Sequence, residues 1–302
     1  MSTYIEILRP TNSLMAAFAV FIGSLLVNLN SYALVPVYLA MAAAFFISGG
    51  GMIINDYFDA GIDKINRPDR PIPSGRISKR AALSYSFMLF LIGIVLSGFI
   101  NWIVFAIAIA NSLLLIVYSH SLKSKLLAGN IIISYLVGST FIFGSASPFA
   151  SSNIRLGVLL TPFLFALLAF LANLSREIVK TFEDIEGDRQ GFLKKMVAGA
   201  VETAARFGLV NNKPEMKYKK PLKVISVVCP LLAVIISQLP YLLSLLSVYY
   251  LFVVWVTDLL LIISAAGILC AKEKKHYRKI AGKIKIAMLV GLIAFLAGIV
   301  LK

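Results

Sequence analysis

Acidic residues form two compact groups, each at the end of a long apolar run. Residues 55–63 read Asn-Asp-Tyr-Phe-Asp-Ala-Gly-Ile-Asp, and residues 184–188 read Asp-Ile-Glu-Gly-Asp. Ionisable groups at the end of a bilayer-spanning segment are costly and are usually functional. Positions four and seven apart share one face of a helix, so the carboxylates of each group lie side by side and repel one another. Bound cations relieve this repulsion, and Mg²⁺ in particular combines a few carboxylates with the phosphate oxygens of a substrate.

Basic residues accompany both acidic groups. The segment 64–76 follows the first group and carries three arginines among three prolines. The prolines favour an ordered loop, and the arginines suit bidentate binding of phosphate. Downstream, Arg176, Lys180 and Asp184 follow at intervals of four, so cations and carboxylates share one helix face. Two matching groups favour a site for Mg²⁺ and a phosphorylated substrate over a set of solvated ion pairs.

The composition indicates a polytopic membrane protein. Hydrophobic residues make up 59% of the 302 residues and charged residues 14%, whereas a soluble domain carries about a quarter charged. Each span needs about 20 apolar residues. We predict an all-α bundle of nine transmembrane helices around a central cavity, with a pseudo-two-fold repeat of four helices plus one, in a single domain over residues 1–302. The predicted spans are 12–30, 34–54, 82–100, 102–119, 128–145, 157–176, 222–239, 242–270 and 284–301.

The distribution of basic residues predicts the orientation of this multi-pass protein in the cell membrane. With a cytoplasmic N-terminus, the C-terminus lies outside, together with the loops near residues 31–33, 100–102, 146–156 and 239–242. Of the 29 Lys and Arg residues, only Arg155 and Lys302 fall on the outer side, as the positive-inside rule requires. Both acidic groups lie on the cytoplasmic side. The formal net charge of +15 therefore reflects topology and the anionic inner leaflet, and it argues against nucleic acid as a partner.

These residues resemble the motifs of the UbiA superfamily of intramembrane prenyltransferases. The resemblance covers nearly the whole chain. It rests on N-D-x-x-D-x-x-x-D from Asn55 to Asp63, D-x-x-x-D from Asp184 to Asp188, and the segment from Tyr118-Ser119 to Lys123. Within the superfamily, the chain is most similar to the archaeal geranylgeranyltransferases that act on geranylgeranylglyceryl phosphate. The segments that carry this closer similarity are 8–12, 66–75, 138–141 and 176–180.

The resemblance implies a Mg²⁺-dependent transfer of a prenyl group from an isoprenyl diphosphate, here geranylgeranyl diphosphate. The implied acceptor is lipid-like: the free glycerol hydroxyl of geranylgeranylglyceryl phosphate captures an allylic cation and forms an ether of archaeal membrane lipids. An apolar cavity with aromatic walls protects such a cation from water.

The resemblance also implies which residues do this chemistry. The implied metal ligands are Asn55, Asp56, Asp59, Asp184 and Asp188. The implied catalytic residues are Asp59, Asp63, Asp184, Asp188, Lys123 and Tyr118. The implied substrate-binding residues are Asn12, Arg67, Arg70, Lys123, Lys180, Arg176 and Ser119. The phosphate of the acceptor needs a further cation, for which Arg9, Arg70 and Arg76 are candidates.

Other functions compete with this interpretation. A prenyltransferase with an aromatic acceptor, such as 4-hydroxybenzoate or a naphthoate in quinone synthesis, uses the same diphosphate site. A secondary transporter also has repeats and membrane-embedded charges, but its charges lie near the midplane, whereas these acids lie at helix ends. A CDP-alcohol phosphotransferase requires a D-G-x-x-A-R type run, which this sequence lacks beside its aspartates.

Two further features set expectations for the structure. In the family, the second motif runs into a Thr-Leu-Pro segment, whereas here Asp188 leads into a Lys-rich stretch that reaches Lys223. We predict that this stretch is an amphipathic or irregular segment on the anionic leaflet. Asp258 is the one acid deep within a predicted span, and Thr257 and Tyr249 are its expected polar contacts.

Overall fold

The computed structural model describes residues 3–122, 126–149, 160–195 and 219–301, which are almost entirely helical and contain no strand. The helices are α1 (Thr3–Leu8), α2 (Pro10–Leu25), α3 (Val35–Asn66), α4 (Lys79–Gly98), α5 (Trp102–Val117), α6 (Leu126–Ala146), α7 (Leu160–Lys195), α8 (Lys219–Ile236), α9 (Leu239–Leu242), α10 (Val248–Cys270) and α11 (Lys274–Val300). A 3₁₀ turn at Leu29–Ala33 and a π-helical turn at Tyr118–Leu122 complete the elements.

The predicted all-α membrane bundle is confirmed. Among the described residues, eight helices are long and apolar enough to cross a membrane, and Pro10–Leu25 is a shorter apolar helix at the position of the first predicted span. The count of nine is therefore approximate, because α2 has only 16 residues and a straight span needs about 20.

The two helices that carry the acidic groups are much longer than a membrane is thick. Helix α3 has 32 residues and α7 has 36. At 1.5 Å per residue these lengths are roughly 48 and 54 Å, against about 30 Å for the hydrocarbon core. The C-terminal turns of both helices therefore extend beyond the apolar layer, and the acidic groups belong to continuous helix rather than to loops.

Helices α2 and α6 join the two parts of the bundle. One apolar core lies among α2 to α6, and a second contains residues of α2, α6, α7, α8, α10 and α11. Glycines permit the close backbone approach: a Cβ on Gly144 would lie 2.0 Å from the Val20 carbonyl oxygen, and one on Gly23 would lie 2.4 Å from that of Phe141. The rigid contact between α2 and α6 fixes the distance between the two halves.

Asp258 is held by polar contacts with the turn that follows α8. Its carboxylate accepts hydrogen bonds from the Ser237 hydroxyl at 3.0 Å and from Gln238 Nε2 at 2.8 Å. The expectation that Thr257 and Tyr249 satisfy it is wrong, because the Thr257 hydroxyl is buried without a hydrogen-bond partner among the described residues and Tyr249 is exposed. These hydrogen bonds therefore link α10 to the turn that follows α8.

Candidate functional site

The first acidic group occupies one face of α3 and divides into two edges. At 100° per residue, Asn55, Asp56, Asp59 and Asp63 fall within an arc of about 100°. Asn55 Nδ2 donates to Asp59 Oδ2 at 3.0 Å, one turn apart, and both side chains are partly exposed. Asp56 and Asp63 lie along the other edge, two turns apart, and are buried.

Two arginines cover the buried edge. Arg70 Nη1 donates to Asp63 Oδ2 at 2.6 Å and to Asp56 Oδ1 at 3.2 Å. Arg9 Nη2 donates to the same Asp56 oxygen at 2.5 Å. The carboxylate of Asp56, predicted to be a metal ligand, is thus enclosed by guanidinium groups.

The loop between α3 and α4 is ordered by its own hydrogen bonds, as its prolines predict. The Arg67 amide donates to the Asp63 carbonyl at 2.8 Å, and the Ser74 amide donates to the Arg70 carbonyl at 2.9 Å. Gly75 takes a positive φ of 76°, which a glycine adopts without strain. This loop holds Arg70 above the acid face.

Arg76 ties the same loop to α1. Its guanidinium donates two hydrogen bonds to the Glu6 carboxylate and one to the Asp69 carbonyl. The hydrogen bond from Arg76 lowers the pKa of Glu6, and the pKa of Arg76 is raised in return. Arg76 therefore forms an ion pair with Glu6 at the surface.

A π-helical turn places Tyr118 between the two halves of the bundle. The Ser119 hydroxyl donates to the Leu115 carbonyl at 2.8 Å, and the His120 ring lies edge-on to Phe58 of α3 at 5.2 Å. The negative charges of Glu177 and Asp59 both act on the Tyr118 phenol. Such π-turns are frequent at functional sites. Lys123, the expected end of this motif, lies outside the described residues.

Helix α7 presents a buried carboxylate with two cations. Arg176 Nη1 donates to Glu177 Oε1 at 2.6 Å, and Lys180 Nζ donates to Glu177 Oε2 at 2.8 Å. The Nε atom of Arg176 is buried without a hydrogen-bond partner in the described part of the chain. A buried N–H of this kind normally has a partner, so Arg176 retains a donor for a bound anion.

Asp184, the first residue of the second acidic group, lies near the loop that follows the first group. Asp184 is exposed, and the positive charges of Lys180, Arg67 and Lys274 act on it. Arg67 belongs to the α3–α4 loop, so the two halves meet here. The side chain of Asp188 lies outside the described residues.

The structure thus brings most of the predicted residues to one end of the bundle. Asn12 lies half-buried in the first turn of α2, where its backbone N–H donates to the Arg9 carbonyl. No three Asp, Glu, His or Cys side chains form a ready-made metal cluster in the described residues. Sequence reasoning missed the role of Glu177 as the anchor of both cations. The signal was the spacing of Glu177 and Lys180, which are three residues apart and therefore neighbours on one helix face.

Comparison with known proteins decides the family. Residues 16–289 match the model of the UbiA prenyltransferase family. The chain belongs to this family. This chain is therefore a membrane-embedded prenyltransferase.

Several relatives are similar to the chain over nearly its whole length. Digeranylgeranylglyceryl phosphate synthase of Methanosarcina mazei is 40% identical over 310 residues, which cover 98% of each chain. A solved structure of digeranylgeranylglyceryl phosphate synthase is 34% identical, has a TM-score of 0.75, and matches 99% of this chain and 98% of that one. A UbiA homologue from Archaeoglobus fulgidus bound to GPP and Mg²⁺ is 17% identical with a TM-score of 0.54, covers 98% of this chain and 100% of its own, and shares the fold.

Proposed function

We propose that this prenyltransferase moves a geranylgeranyl group from geranylgeranyl diphosphate to the free glycerol hydroxyl of geranylgeranylglyceryl phosphate. The observation that carries the proposal is that the acids of α3, the Tyr118 phenol and Asp184 lie at one end of an apolar bundle, where Asp59 acts on Tyr118 and Arg67 acts on Asp184 through their charges. The acceptor follows from the similarity to digeranylgeranylglyceryl phosphate synthases, at 34% and 40% identity over nearly the whole chain.

The donor set fits Mg²⁺. Asn55 and Asp59 offer an amide and a carboxylate oxygen one turn apart, and Asp184 of α7 offers a second carboxylate. Few protein oxygens suffice, since Mg²⁺ takes its remaining ligands from water and substrate phosphates. The metal, when bound, neutralises the diphosphate so that it becomes a better leaving group. We expect Asn55, Asp59, Asp184 and Asp188 to hold it. Asp56, the fifth predicted metal ligand, bonds to Arg9 and Arg70 instead.

Cations from both halves surround the place of the diphosphate. Arg67 acts on Asp184 from the α3–α4 loop, and Arg176 and Lys180 line α7 around Glu177. Charge-assisted hydrogen bonds to phosphate oxygens are the strong ones, and donors fixed before the reaction stabilise the charge of a leaving group at little reorganisation cost. Lys123 is expected to join them.

Bond changes at the reacting carbon follow from this arrangement. The bond between the allylic carbon and the diphosphate oxygen breaks, and the electron pair leaves with the diphosphate. The aromatic face of Tyr118, with Asp59 and Glu177 nearby, favours the positive charge that remains on the prenyl chain. The glycerol oxygen then bonds to that carbon, and its proton passes to an oxygen of the departing diphosphate.

A purified-protein assay tests the proposal. The full chain is supplied with geranylgeranyl diphosphate, Mg²⁺ and either geranylgeranylglyceryl phosphate or 4-hydroxybenzoate, and the products are identified by mass spectrometry. We expect the phosphorylated diether with the first acceptor and no product with the second. Prenylation of the aromatic acid alone would contradict the proposed acceptor.

A further inference from the structure

Two guanidinium groups meet at a single carboxylate oxygen on the buried edge of α3. Arg9 Nη2 and Arg70 Nη1 both donate to Asp56 Oδ1, at 2.5 and 3.2 Å. Asp63 Oδ2 holds Arg70 Nη1 from one side at 2.6 Å. Two like charges that would repel each other are therefore fixed within reach of one small anion.

The two carboxylates are buried, and the two arginines that cover them are more exposed. The side chains of Asp56 and Asp63 are 5% and 8% exposed, whereas those of Arg9 and Arg70 are 32% and 19% exposed. A guanidinium has five N–H donors, and Arg70 uses one nitrogen, Nη1, for both carboxylates.

The backbone at Arg9 adopts a strained, left-handed conformation. Arg9 has φ 51° and ψ 64° and precedes Pro10, the first residue of α2. A left-handed conformation is unfavourable for a residue with a Cβ, and the helical region is further disfavoured before proline. Such strain concentrates at functional sites, where surrounding contacts maintain it. Here the contact is the ion pair with Asp56.

The other arginines nearby have different partners. Arg76 is bound to Glu6 and to the Asp69 carbonyl at the surface. Arg67 acts on Asp184, on the side of the site assigned to the diphosphate. Of the three candidates for the phosphate of the acceptor, only Arg9 and Arg70 point at the acid face.

We propose that Arg9 and Arg70 form a subsite for the phosphate monoester of the lipid acceptor, and that Asp56 and Asp63 are positioning residues that hold them. This inference rests on the proposed function. Paired guanidiniums match the oxygens of a phosphate. The subsite lies on the opposite edge of the α3 acid face from Asn55 and Asp59, so the acceptor and the diphosphate occupy separate edges of one helix.

The shared ligand chemistry is a phosphate group, and it has two sources here: the acceptor and the prenyl donor. Steady-state kinetics of the purified full-length protein separates them. We expect Arg9→Gln to raise the KM for geranylgeranylglyceryl phosphate about tenfold, which equals about 1.4 kcal/mol. The KM for geranylgeranyl diphosphate and the half-saturating Mg²⁺ concentration should change less than about twofold. Asp56→Asn should show the same pattern, and Arg9→Lys should recover part of the loss.

A second acceptor shows whether the phosphate is the group that Arg9 binds. Geranylgeranylglycerol lacks the phosphate, so Arg9→Gln and wild type should use it equally poorly; the effects of removing the arginine and the phosphate should not add. An unchanged deficit of Arg9→Gln with geranylgeranylglycerol would overturn the proposal. So would an equal rise in the KM for geranylgeranyl diphosphate, or a rise in the Mg²⁺ requirement of Asp56→Asn, which would make Asp56 a metal ligand.

Measurements of binding, which need no turnover, test the subsite separately from the proposed function. Geranylgeranylglyceryl phosphate alone should raise the thermal unfolding midpoint of wild type and not that of Arg9→Gln, while geranylgeranyl diphosphate with Mg²⁺ should stabilise both. Arg80→Gln is the matched control, because Arg80 is exposed at the start of α4. Equal stabilisation of wild type and Arg9→Gln by the acceptor would contradict the subsite. Absence of ether product from a wild type that binds the acceptor would contradict the proposed function instead.

Discussion

At the scale of single residues, the acids of α3 differ in their surroundings although they share one motif. Asn55 and Asp59 bond to each other and stay partly exposed, whereas Asp56 and Asp63 are buried under arginines. The motif spacing predicts that all four share a helix face. It does not predict which edge meets Arg9, because Arg9 is 47 residues away in sequence from Asp56 and their contact depends on how α1, α2 and α3 pack.

Asp59→Asn and Asp184→Asn should each lower kcat by at least roughly 100-fold, because loss of one preorganised charge at a reacting site has effects of this size. Both variants should keep the thermal unfolding midpoint of wild type, since Asp59 lies among other acids of α3 and Asp184 is exposed. Activity and circular dichroism of the purified variants check this. Asp69→Asn, at an exposed loop position, is the control. Unfolding of both variants would favour a structural role for the acids.

Glu177→Gln should destabilise the protein and increase the rise in unfolding midpoint that substrate produces. Loss of the carboxylate leaves Arg176 and Lys180 without their common anion, at a cost of about 2 kcal/mol, below the 3–5 kcal/mol of a fully buried pair, because Lys180 is 43% exposed. If both cations face the diphosphate, geranylgeranyl diphosphate with Mg²⁺ should raise the unfolding midpoint more in the variant than in wild type.

The exposed pair of Glu273 and Lys275 gives the control for that comparison. Glu273→Gln should leave both the unfolding midpoint and its shift with substrate unchanged, because exposed ion pairs contribute little. An equal substrate-induced shift in Glu177→Gln and wild type would show that Arg176 and Lys180 do not face the diphosphate.

At the scale of the elements, helix lengths and junctions place the site. The hydropathy pattern predicts where α3 begins, but it predicts an end near residue 54, whereas the helix runs to Asn66. Hydropathy does not predict the polar last turns of the helix, because these turns extend past the bilayer. The hydropathy pattern does not predict the π-helical turn at Tyr118–Leu122 or the left-handed residue at Arg9.

The junction between α1 and α2 makes a prediction about stability. Arg9→Gly should be more stable than Arg9→Ala by about 1 kcal/mol, because glycine adopts a positive φ without a Cβ penalty. Neither variant retains the guanidinium, so the difference isolates the backbone at φ 51°. Thermal unfolding in detergent measures it.

The same pair of substitutions at an ordinary helical position gives the opposite sign. Lys283 is exposed within α11, and there Ala should be the more stable residue by about 1 kcal/mol. A preference for Ala at both positions would contradict the left-handed conformation of Arg9.

At the scale of the whole molecule, the class and its single apolar bundle follow from composition, and the family follows from the two aspartate motifs. The partners of buried polar groups do not. Asp258, for example, binds Ser237 and Gln238 from a turn outside the neighbouring helix, a contact that depends on the packing of α8 against α10. The basic segment after Asp188 stays a prediction, because residues 196–218 lie outside the described ones.

The orientation is a further prediction at this scale. In a background without Cys229 and Cys270, Ser74→Cys in the α3–α4 loop should react with a membrane-impermeant maleimide only from the cytoplasmic side. Ser244→Cys, between α9 and α10, should react only from outside. Labelling of both from the same side would contradict the predicted topology.

The most direct test of the central claim is the stoichiometry of the purified wild-type reaction. With geranylgeranyl diphosphate, Mg²⁺ and equal amounts of geranylgeranylglyceryl phosphate and 4-hydroxybenzoate, we predict one diphosphate released for each new glyceryl ether, and no prenylated aromatic acid. Removal of Mg²⁺ by a chelator should stop both products together. Release of diphosphate without ether, or prenylation of the aromatic acid in its place, would contradict the account.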